Sequence, residues 1–336
     1  MSTTSTELAA GIRSGDRRAL ARAITLIEST RAQDQDDAAV LLDELLGDAG
    51  GAVRVGITGS PGVGKSTFIE AFGLHLVRAG KTVAVLAVDP SSQRTGGSIL
   101  GDKTRMPGLA SSPDAFIRPS PSGTSLGGVA RRTREAITLC EAFGFDVVIV
   151  ETVGAGQAEG AVADLVDVFV LLVAPGGGDD LQGIKRGIME LADVVVVTKA
   201  DGDLAATARH TAADYRHALE LLRPKTDTGA APVIACSALS GESIGAVADA
   251  VDKLQAAWAA SGRIGSERAR QAAAWMWSDV RARIGDALRA HPEVEALVPE
   301  LEARVASGTI SPTTAARRLV DAFWAAPAGG GVQGRR

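Results

Sequence analysis

One nine-residue segment constrains the fold of this chain more than any other feature of its sequence. Residues 59–67 read GSPGVGKST and fit the phosphate-binding pattern G-x-x-x-x-G-K-[ST]. An apolar, strand-like stretch at 53–58 precedes the segment, and apolar residues at helical spacing follow it. A strand, a glycine-rich turn and a helix N-terminus aim backbone N–H groups and the positive end of the helix dipole at one point. The segment therefore predicts a polyphosphate site, and the alternative is a chance match in a chain with 39 glycines.

Each residue of this loop is a candidate contact to a bound nucleotide. We expect the Lys65 amine to reach the β- and γ-phosphates and the Ser66 hydroxyl to ligate Mg²⁺. The predicted contacts are Gly59, Ser60, Pro61, Gly62, Val63, Gly64, Lys65, Ser66 and Thr67. A nucleoside triphosphate with Mg²⁺ is the ligand that this chemistry predicts.

Strand-like and helical segments alternate from about residue 51 to residue 260, which predicts an α/β domain. The strand candidates are residues 53–58, 82–89, 146–152, 166–173, 194–198 and 232–237. The helix candidates between them include residues 67–79, 127–143, 183–191, 204–222 and 243–260. Because the strands are near-continuous runs of Val, Ile and Leu, we expect a mainly parallel, doubly wound sheet covered on both faces. A ligand site is then expected at the carboxyl ends of the strands.

Purely helical segments flank this domain and set the predicted boundaries. Residues 1–48 are predicted to form an N-terminal helical extension, residues 49–261 the P-loop domain and residues 262–326 a C-terminal helical region. The Pro- and Gly-rich tail at 327–336 is predicted to be disordered. Trp275 and Trp277 fit either a core of the C-terminal region or a dimer surface, and the residues alone leave both open.

Composition and charge argue against several function classes. A formal net charge of −5 disfavours general nucleic-acid binding, which needs a strongly basic face. Cys140 and Cys236 show no pair spacing and fit small buried residues, and the four histidines are scattered, so no zinc or nickel cluster is expected. The polar start indicates no signal peptide, and no apolar run approaches the ~20 residues of a membrane span. A cytoplasmic protein is the simplest interpretation, and a processed mitochondrial matrix protein is the alternative.

Acidic residues follow two further predicted strands, where a magnesium nucleotide would place its phosphates. Asp89 ends the second strand and Asp102 lies beyond the glycine-rich stretch after it; both are candidates to hold Mg²⁺ or its bound water, with a helix or turn cap as the alternative. Glu151 and Gly154 match the Asp-x-x-Gly motif of G proteins, with Glu in place of Asp. We expect the carboxylate to act on Mg²⁺ through water or to orient water. The Gly154 N–H would face the γ-phosphate, so the loop after it is predicted to switch with that phosphate.

Two motifs after later strands predict that the nucleotide carries guanine. The segment TKAD at 198–201 follows a run of four valines, and the Asp201 carboxylate can accept from guanine N1–H and N2–H₂ together, a pairing that adenine does not offer. Thr198 stands where Asn is the common residue, and the Lys199 stem is expected to lie along the base plane. The predicted backbone contact to guanine O6 comes from Ser237, Ala238 and Leu239. The four motifs in this order predict a GTPase.

The segment PGGGDDLQGIK at 175–185 adds three consecutive glycines and then charges after a strand. By itself it fits a mobile loop near the phosphates or a plain flexible turn. Together with VDPSS at 88–92, ETVGAGQAE at 151–159 and TKAD at 198–201, it resembles the MeaB/ArgK family. These are P-loop GTPases associated with adenosylcobalamin-dependent methylmalonyl-CoA mutase, and the resemblance covers nearly the whole chain.

The resemblance implies a G-protein chaperone that gates delivery of the cobalamin cofactor from its adenosyltransferase and protects the mutase from inactivation. It implies catalytic and magnesium-site roles for Lys65, Asp89, Asp102 and Glu151. It also implies that Asp179 and Lys185 couple the nucleotide state to the partner through a switch at 175–185. Family members are dimers through their C-terminal helices, which favours an interface role for the two tryptophans. Phosphate transfer of the arginine-transport-kinase kind is a weaker implication.

The predicted reaction is hydrolysis of GTP to GDP and phosphate by in-line attack of water, with the protein positioning groups and neutralising charge. No arginine is placed as a finger in the sequence and no Gln directly follows Gly154, so we expect slow intrinsic turnover that a partner accelerates. The alternatives are a kinase that uses the same loop, a nickel metallochaperone and a nucleotide-binding scaffold without hydrolysis. A phosphorylated acceptor would favour the kinase, and tight metal binding would favour the metallochaperone. Bound GTP that never turns over would favour the scaffold.

Overall fold

A computed structural model gives the fold over residues 3–88, 105–118, 126–152, 159–176, 186–221 and 229–325. The chain divides into two compact units, Met1–Gln271 and Ala272–Arg336. The division falls inside one helix, Arg263–Arg289. The boundaries predicted at residues 48, 261 and 326 stay predictions.

A parallel β-sheet organises the first unit. Its strands are β1 Val53–Gly59, β2 Val83–Val88, β3 Ala115–Arg118, β4 Val147–Thr152, β5 Val168–Val173, β6 Val194–Val197 and β7 Val233–Ala235. They lie in the order β3-β2-β4-β1-β5-β6-β7, and all six pairings are parallel. The predicted α/β fold with a mainly parallel sheet is confirmed. Because β1 lies between β4 and β5, the loop that follows β1 opens at the middle of the carboxyl edge, where such sheets bind ligands.

Helices surround this sheet and build the second unit. Those of the first unit are α1 Thr3–Arg13, α2 Arg17–Glu28, α3 Ala32–Leu45, α4 Lys65–Arg78, α5 Pro107–Ser111, α6 Leu126–Phe143, α7 Glu159–Ala163, α8 Arg186–Leu191, α9 Ala205–Glu220 and α10 Ile244–Ala260. The remaining helices are α11 Arg263–Arg289, α12 Pro292–Ala306 and α13 Pro312–Ala325. Short 3₁₀ turns lie at Leu46–Asp48 and Gly202–Leu204. Pro292 is in the first turn of α12, where a missing N–H costs nothing, and the preceding helix α11 ends at Arg289.

Strand β3 is the one strand of the sheet that the sequence does not predict. It has four residues, and its side chains alternate between buried and half-buried. It also lies at the edge of the sheet, beside β2 only. A strand this short gives a weak periodic signal, so pairing with β2 rather than local propensity fixes it.

The core explains why the other strands read as continuous apolar runs. Every residue of β4, β5 and β6 is buried. On one face, Phe68 and Phe72 of α4 pack with Val247 of α10, and on the other face Tyr215 of α9 packs against β6. Burial of each such side chain contributes about 1.5–3 kcal/mol relative to exposure. Coverage of both faces holds the strands rigidly, so their carboxyl ends can position polar groups.

The N-terminal helices α1 to α3 belong to the first unit and pack on α6 with an apolar face that includes Leu20 and Ile24 of α2. The Arg118 guanidinium at the end of β3 pairs with Glu28 of α2. Burial raises the pKa of the Glu28 carboxyl, although its bond to Arg118 opposes that shift. None of the helices in the described ranges has both the length and the apolar character needed to cross a lipid bilayer.

Candidate nucleotide site

The P-loop runs from the end of β1 at Gly59 to the start of α4 at Lys65. Gly64, at the N-cap of α4, has a φ of +94°, which side-chain-bearing residues rarely adopt. A Cβ atom on Gly59 would lie 2.5 Å from the Leu172 carbonyl oxygen of β5, so only glycine fits there. The first N–H groups of α4 have no acceptor within the helix and face the loop. The backbone thus forms a cradle for an anion.

The Lys65 side chain lies across this loop. Its amine donates to the Gly59 carbonyl at 2.7 Å and to the Ser60 carbonyl at 3.2 Å. These contacts hold a positive charge at the mouth of the cradle, beside the helix N-terminus. An incoming phosphate therefore meets a charge that is already in position, which is the arrangement that favours a polyphosphate.

Ser66 and Glu151 come together although they lie 85 residues apart. Glu151 is only 3% exposed, and as the second-to-last residue of β4 it lies opposite Ile57 of β1. The Ser66 hydroxyl lies 3.4 Å from its Oε1 atom, which is long for an O–H···O bond. A hydroxyl and a carboxylate are hard oxygen donors of the kind that Mg²⁺ prefers, so these two residues fit that ion.

The end of β6 is fastened to the P-loop by two side chains. The Thr198 hydroxyl donates to the Val63 carbonyl at 2.7 Å and lies 3.3 Å from the Val173 carbonyl at the end of β5. The Lys199 amine donates to the Gly62 carbonyl at 2.8 Å. Lys199 has a φ of +54°, an uncommon backbone for a lysine, so this turn is held by its surroundings. The predicted base motif is therefore a structural neighbour of the predicted phosphate motif.

Asp201 follows this turn and carries an unused acceptor. Its Oδ1 atom is buried and has no hydrogen-bond partner in the described part of the chain. The neighbouring Ala200 N–H donates to the Cys236 carbonyl at 3.0 Å, which brings the end of β7 beside the turn. A buried carboxylate oxygen without a donor is costly, so this atom fits a ligand that offers N–H groups.

The segment after β7 completes this side of the site. Ser237 is fully buried, and its hydroxyl accepts from the Ser240 N–H at 3.1 Å, which closes a tight turn. Leu239 lies in that turn and is 81% exposed. The structure thus places all three residues predicted to contact guanine O6 at the same edge as Asp201. Their contact with a base stays a prediction.

Several predicted site residues lie outside the described ranges. They are Asp89, Asp102, Gly154, Asp179 and Lys185. Their predicted roles in magnesium binding and switching stay predictions. Within the ranges that are described, no group of three or more His, Cys, Asp or Glu side chains forms a candidate metal cluster.

Both cysteines are buried and free, as the sequence suggests. Burial raises the pKa of the Cys236 thiol to about 12, and burial together with the nearby Glu141 charge raises that of Cys140 further. Both side chains therefore stay protonated near neutral pH and act as small apolar groups.

The sequence does not predict two of the hydrogen-bond acceptors in the site. The carbonyl oxygens of Gly62 and Val63 anchor the base motif, although the sequence pattern predicts these residues only as nucleotide contacts. Their part depends on the strand order, which brings the end of β6 to the loop that follows β1, and a carbonyl leaves no trace in a sequence. The polar Thr198 at the end of an all-valine strand is the available signal, since a buried hydroxyl needs a partner.

Comparisons with known proteins identify the family of this chain. A family model described as "Methylmalonyl Co-A mutase-associated GTPase MeaB" matches residues 20–293. A putative GTPase of Caulobacter vibrioides is 56% identical over 92% of this chain and 94% of its own length. The mouse protein named "Methylmalonic aciduria type A homolog, mitochondrial" is 48% identical over 93% of this chain and 78% of its own.

A solved structure gives the same result at the level of the fold. A crystal structure of a protein named "LAO/AO transport system kinase" is 39% identical, with a TM-score of 0.75, over 96% of this chain and 98% of its own. The match of the family model over most of the sequence settles the relationship. The chain belongs to the MeaB family of P-loop GTPases.

Proposed function

We propose that the site binds Mg²⁺ and GTP and hydrolyses the nucleotide, with Asp201 reading the guanine edge. The observation that carries this proposal is the Oδ1 atom of Asp201, which is buried and has no hydrogen-bond partner among the described residues. Asp201 follows a turn that bonds the P-loop carbonyls through Thr198 at 2.7 Å and Lys199 at 2.8 Å. The groups proposed to contact the base and the phosphates are therefore fixed relative to each other. Guanine presents two N–H donors to such a carboxylate, and adenine presents no matching pair.

The phosphate side of the site supplies charge and orientation. The Lys65 amine would turn from the loop carbonyls to the β- and γ-phosphates, and the N–H groups of the loop would bind their oxygens. Ser66 and Glu151 would hold Mg²⁺ or its water, together with Asp89 and Asp102. Bound Mg²⁺ neutralises charge that builds up on the transferring phosphoryl group. The protein contributes mainly positioning, so we expect slow hydrolysis without a partner.

The proposed biological role is that of a G-protein chaperone for an adenosylcobalamin-dependent methylmalonyl-CoA mutase, with the adenosyltransferase as a further partner. The description of the family model supports the mutase. The name of the mouse relative supports the same area of metabolism. In this role the γ-phosphate would set the loop at 175–185, where Asp179 and Lys185 would signal to the partner.

A homodimer through the C-terminal helices is part of this proposal. Trp277 on α11 is 57% exposed, and Met276, Ile284 and Trp324 are exposed large apolar residues of the same unit. Exposed apolar side chains in such number suit an interface. Sedimentation of the purified chain, with Trp277→Asp as the variant, tests the dimer directly.

The Asp201→Asn variant tests the guanine assignment. The change replaces an acceptor by a donor against the base edge, so affinity should move from GTP toward the xanthine nucleotide by about 10²-fold or more, because the charged acceptor for the guanine N–H groups is lost and a neutral amide donor that matches the xanthine 2-carbonyl is gained. Competition of fluorescent GDP by GTP, XTP and ATP gives the readout. Asp203→Asn, at an exposed acid in the adjacent 3₁₀ turn, is the matched control and should leave the preference unchanged.

Two results would contradict the proposal. A variant that still strongly prefers GTP would show that Asp201 does not read the base. A wild-type protein that transfers the γ-phosphate to another molecule, rather than releasing phosphate, would favour a kinase, the activity that the name of the crystallised relative states.

A further inference from the structure

Two buried threonines form a bond that the proposed function does not use. The hydroxyls of Thr58 and Thr152 lie 2.8 Å apart, and either can be the donor. The two residues are 1% and 0% exposed. Ninety-four residues separate them in the sequence, and the parallel pairing of β1 with β4 brings them side by side.

The two threonines lie next to residues of the proposed nucleotide site. Thr58 directly precedes Gly59, the first residue of the P-loop, and Thr152 directly follows Glu151. The register of β1 and β4 places Ile57 opposite Glu151, so the threonines are the next pair along the strands. The bond therefore joins the two strands at the point where each leaves the sheet toward the site.

The two neighbours on β4 use opposite faces of the sheet. Successive strand residues alternate in direction, so Glu151 faces Ser66 of α4 while Thr152 faces the other side. That second face is covered by α7, because a Cβ on Gly56, two residues before Thr58, would lie 3.2 Å from Val162. Neither hydroxyl can therefore touch a nucleotide in the P-loop, and any effect must act through Glu151 and the loop.

The residue types also indicate that this pair fixes the spacing of the two strands and does more than fill space. The other residues of β4 before Glu151 are Val and Ile, which fill the same kind of space without a polar group. Burial of a hydroxyl costs free energy, and a hydrogen bond between two of them fixes the spacing of the strands more sharply than apolar contact does. The distance of 3.4 Å between the Ser66 hydroxyl and the Glu151 carboxylate is long for a hydrogen bond. A small shift of the β4 end therefore decides whether these two groups bond.

We propose that Thr58 and Thr152 are positioning residues for GTP hydrolysis, and that their bond holds the Glu151 carboxylate against the P-loop. This inference rests on the proposed function, because it assigns the pair to the same reaction. Misplacement of a catalytic group by about 1 Å can cost about 10²-fold in rate. Loss of the pair should therefore slow hydrolysis much more than it weakens nucleotide binding.

The test compares Thr58→Val, Thr152→Val and the double variant. Each single change takes from one buried hydroxyl the partner that it has in the described ranges and should lower stability, whereas the double change removes both hydroxyls and should restore it. In the double variant we expect GDP affinity within about twofold of wild type and a single-turnover hydrolysis rate at least tenfold lower, with a higher Mg²⁺ requirement. Thr133→Val is the control, since its buried hydroxyl donates to the Val129 carbonyl within α6.

The outcomes separate the possible failures. A stable double variant that hydrolyses GTP at the wild-type rate would reduce the pair to a packing feature and overturn the inference. If the valine variants do not fold, Thr152→Ser and Thr152→Ala replace them: the serine should keep the rate, the alanine should lose it, and equal rates would overturn the inference. Failure of wild type to hydrolyse GTP would instead reject the proposed function.

Discussion

The two ends of the parallel sheet differ in how their buried charged groups are paired. At the amino end, Arg54 donates two bonds of 2.8 Å to Glu141, and Arg268 donates bonds of 2.8 and 2.6 Å to Asp167. The Gly50 N–H and the Arg54 N–H complete the acceptors of these two acids. At the carboxyl end, the Oδ1 atom of Asp201 is buried with no partner in the described ranges.

The difference shows how the fold separates stability from ligand binding. A cluster in which every charge is paired has no hydrogen-bonding capacity left for a ligand. Removal of one partner leaves a buried charge uncompensated and destabilises the fold. An unpaired acceptor is a cost that a ligand can remove. The amino end therefore serves the structure, and the carboxyl end keeps hydrogen-bonding capacity for a nucleotide. Substitutions at the two ends should consequently separate in their effects.

The largest effect on activity is expected for Lys65→Ala. Removal of the amine takes away a charge aimed at the phosphates, and kcat for GTP should fall by about 10²–10³-fold. The side chain is half-buried and its amine bonds carbonyl oxygens of the loop, so the free energy of unfolding should change by less than about 1 kcal/mol.

Phosphate release and thermal unfolding, measured on the same preparation, check this expectation. Lys81→Ala is the control, because Lys81 makes an exposed pair with Asp252 at 2.9 Å. An unfolded Lys65→Ala protein would show that the carboxyl end is also needed for the fold, and the two ends would then not differ in this respect.

Glu141→Leu should have the converse effect. The Glu141 side chain is 0% exposed, and its loss leaves the Arg54 guanidinium without this carboxylate and Arg268 with the Asp167 carboxylate and the Gly50 and Ala52 carbonyls. Breaking a buried pair costs about 3–5 kcal/mol, which should appear as a lower midpoint in urea unfolding. Asp252→Leu, which breaks the exposed Lys81 pair, should cost at most about 1 kcal/mol. A folded Glu141→Leu protein with impaired GDP binding would show that the two ends are coupled.

The smallest effect is expected for Thr198→Val, a change within the carboxyl end itself. The change removes the 2.7 Å bond to the Val63 carbonyl and loosens the base motif from the P-loop. One such bond is worth about 1 kcal/mol, so affinity for both GTP and GDP should fall about fivefold. Thr198→Ser keeps the hydroxyl and should bind as wild type does. Equal loss in both variants would assign the effect to packing instead.

Local patterns in the sequence were sufficient for much of the fold. The P-loop strand, turn and helix follow from glycine spacing and apolar periodicity. Strand β3 did not follow, because four edge residues carry too little pattern. Roles for Ser66 and Asp201 can be predicted because the chemistry of side chains in the loops after strands limits which ligands fit, and these roles stay predictions.

The amino-acid sequence alone specifies a parallel α/β nucleotide-binding fold of the MeaB family, because hydrophobic period, glycine spacing and short motifs are local properties. Which distant polar groups meet is visible only in the folded chain. The Thr58–Thr152 bond, the Thr198–Val63 bond and the Arg54–Glu141 pair each join residues that are about ninety or more positions apart. Strand order and register bring such groups within bonding distance, and these depend on how the whole core packs.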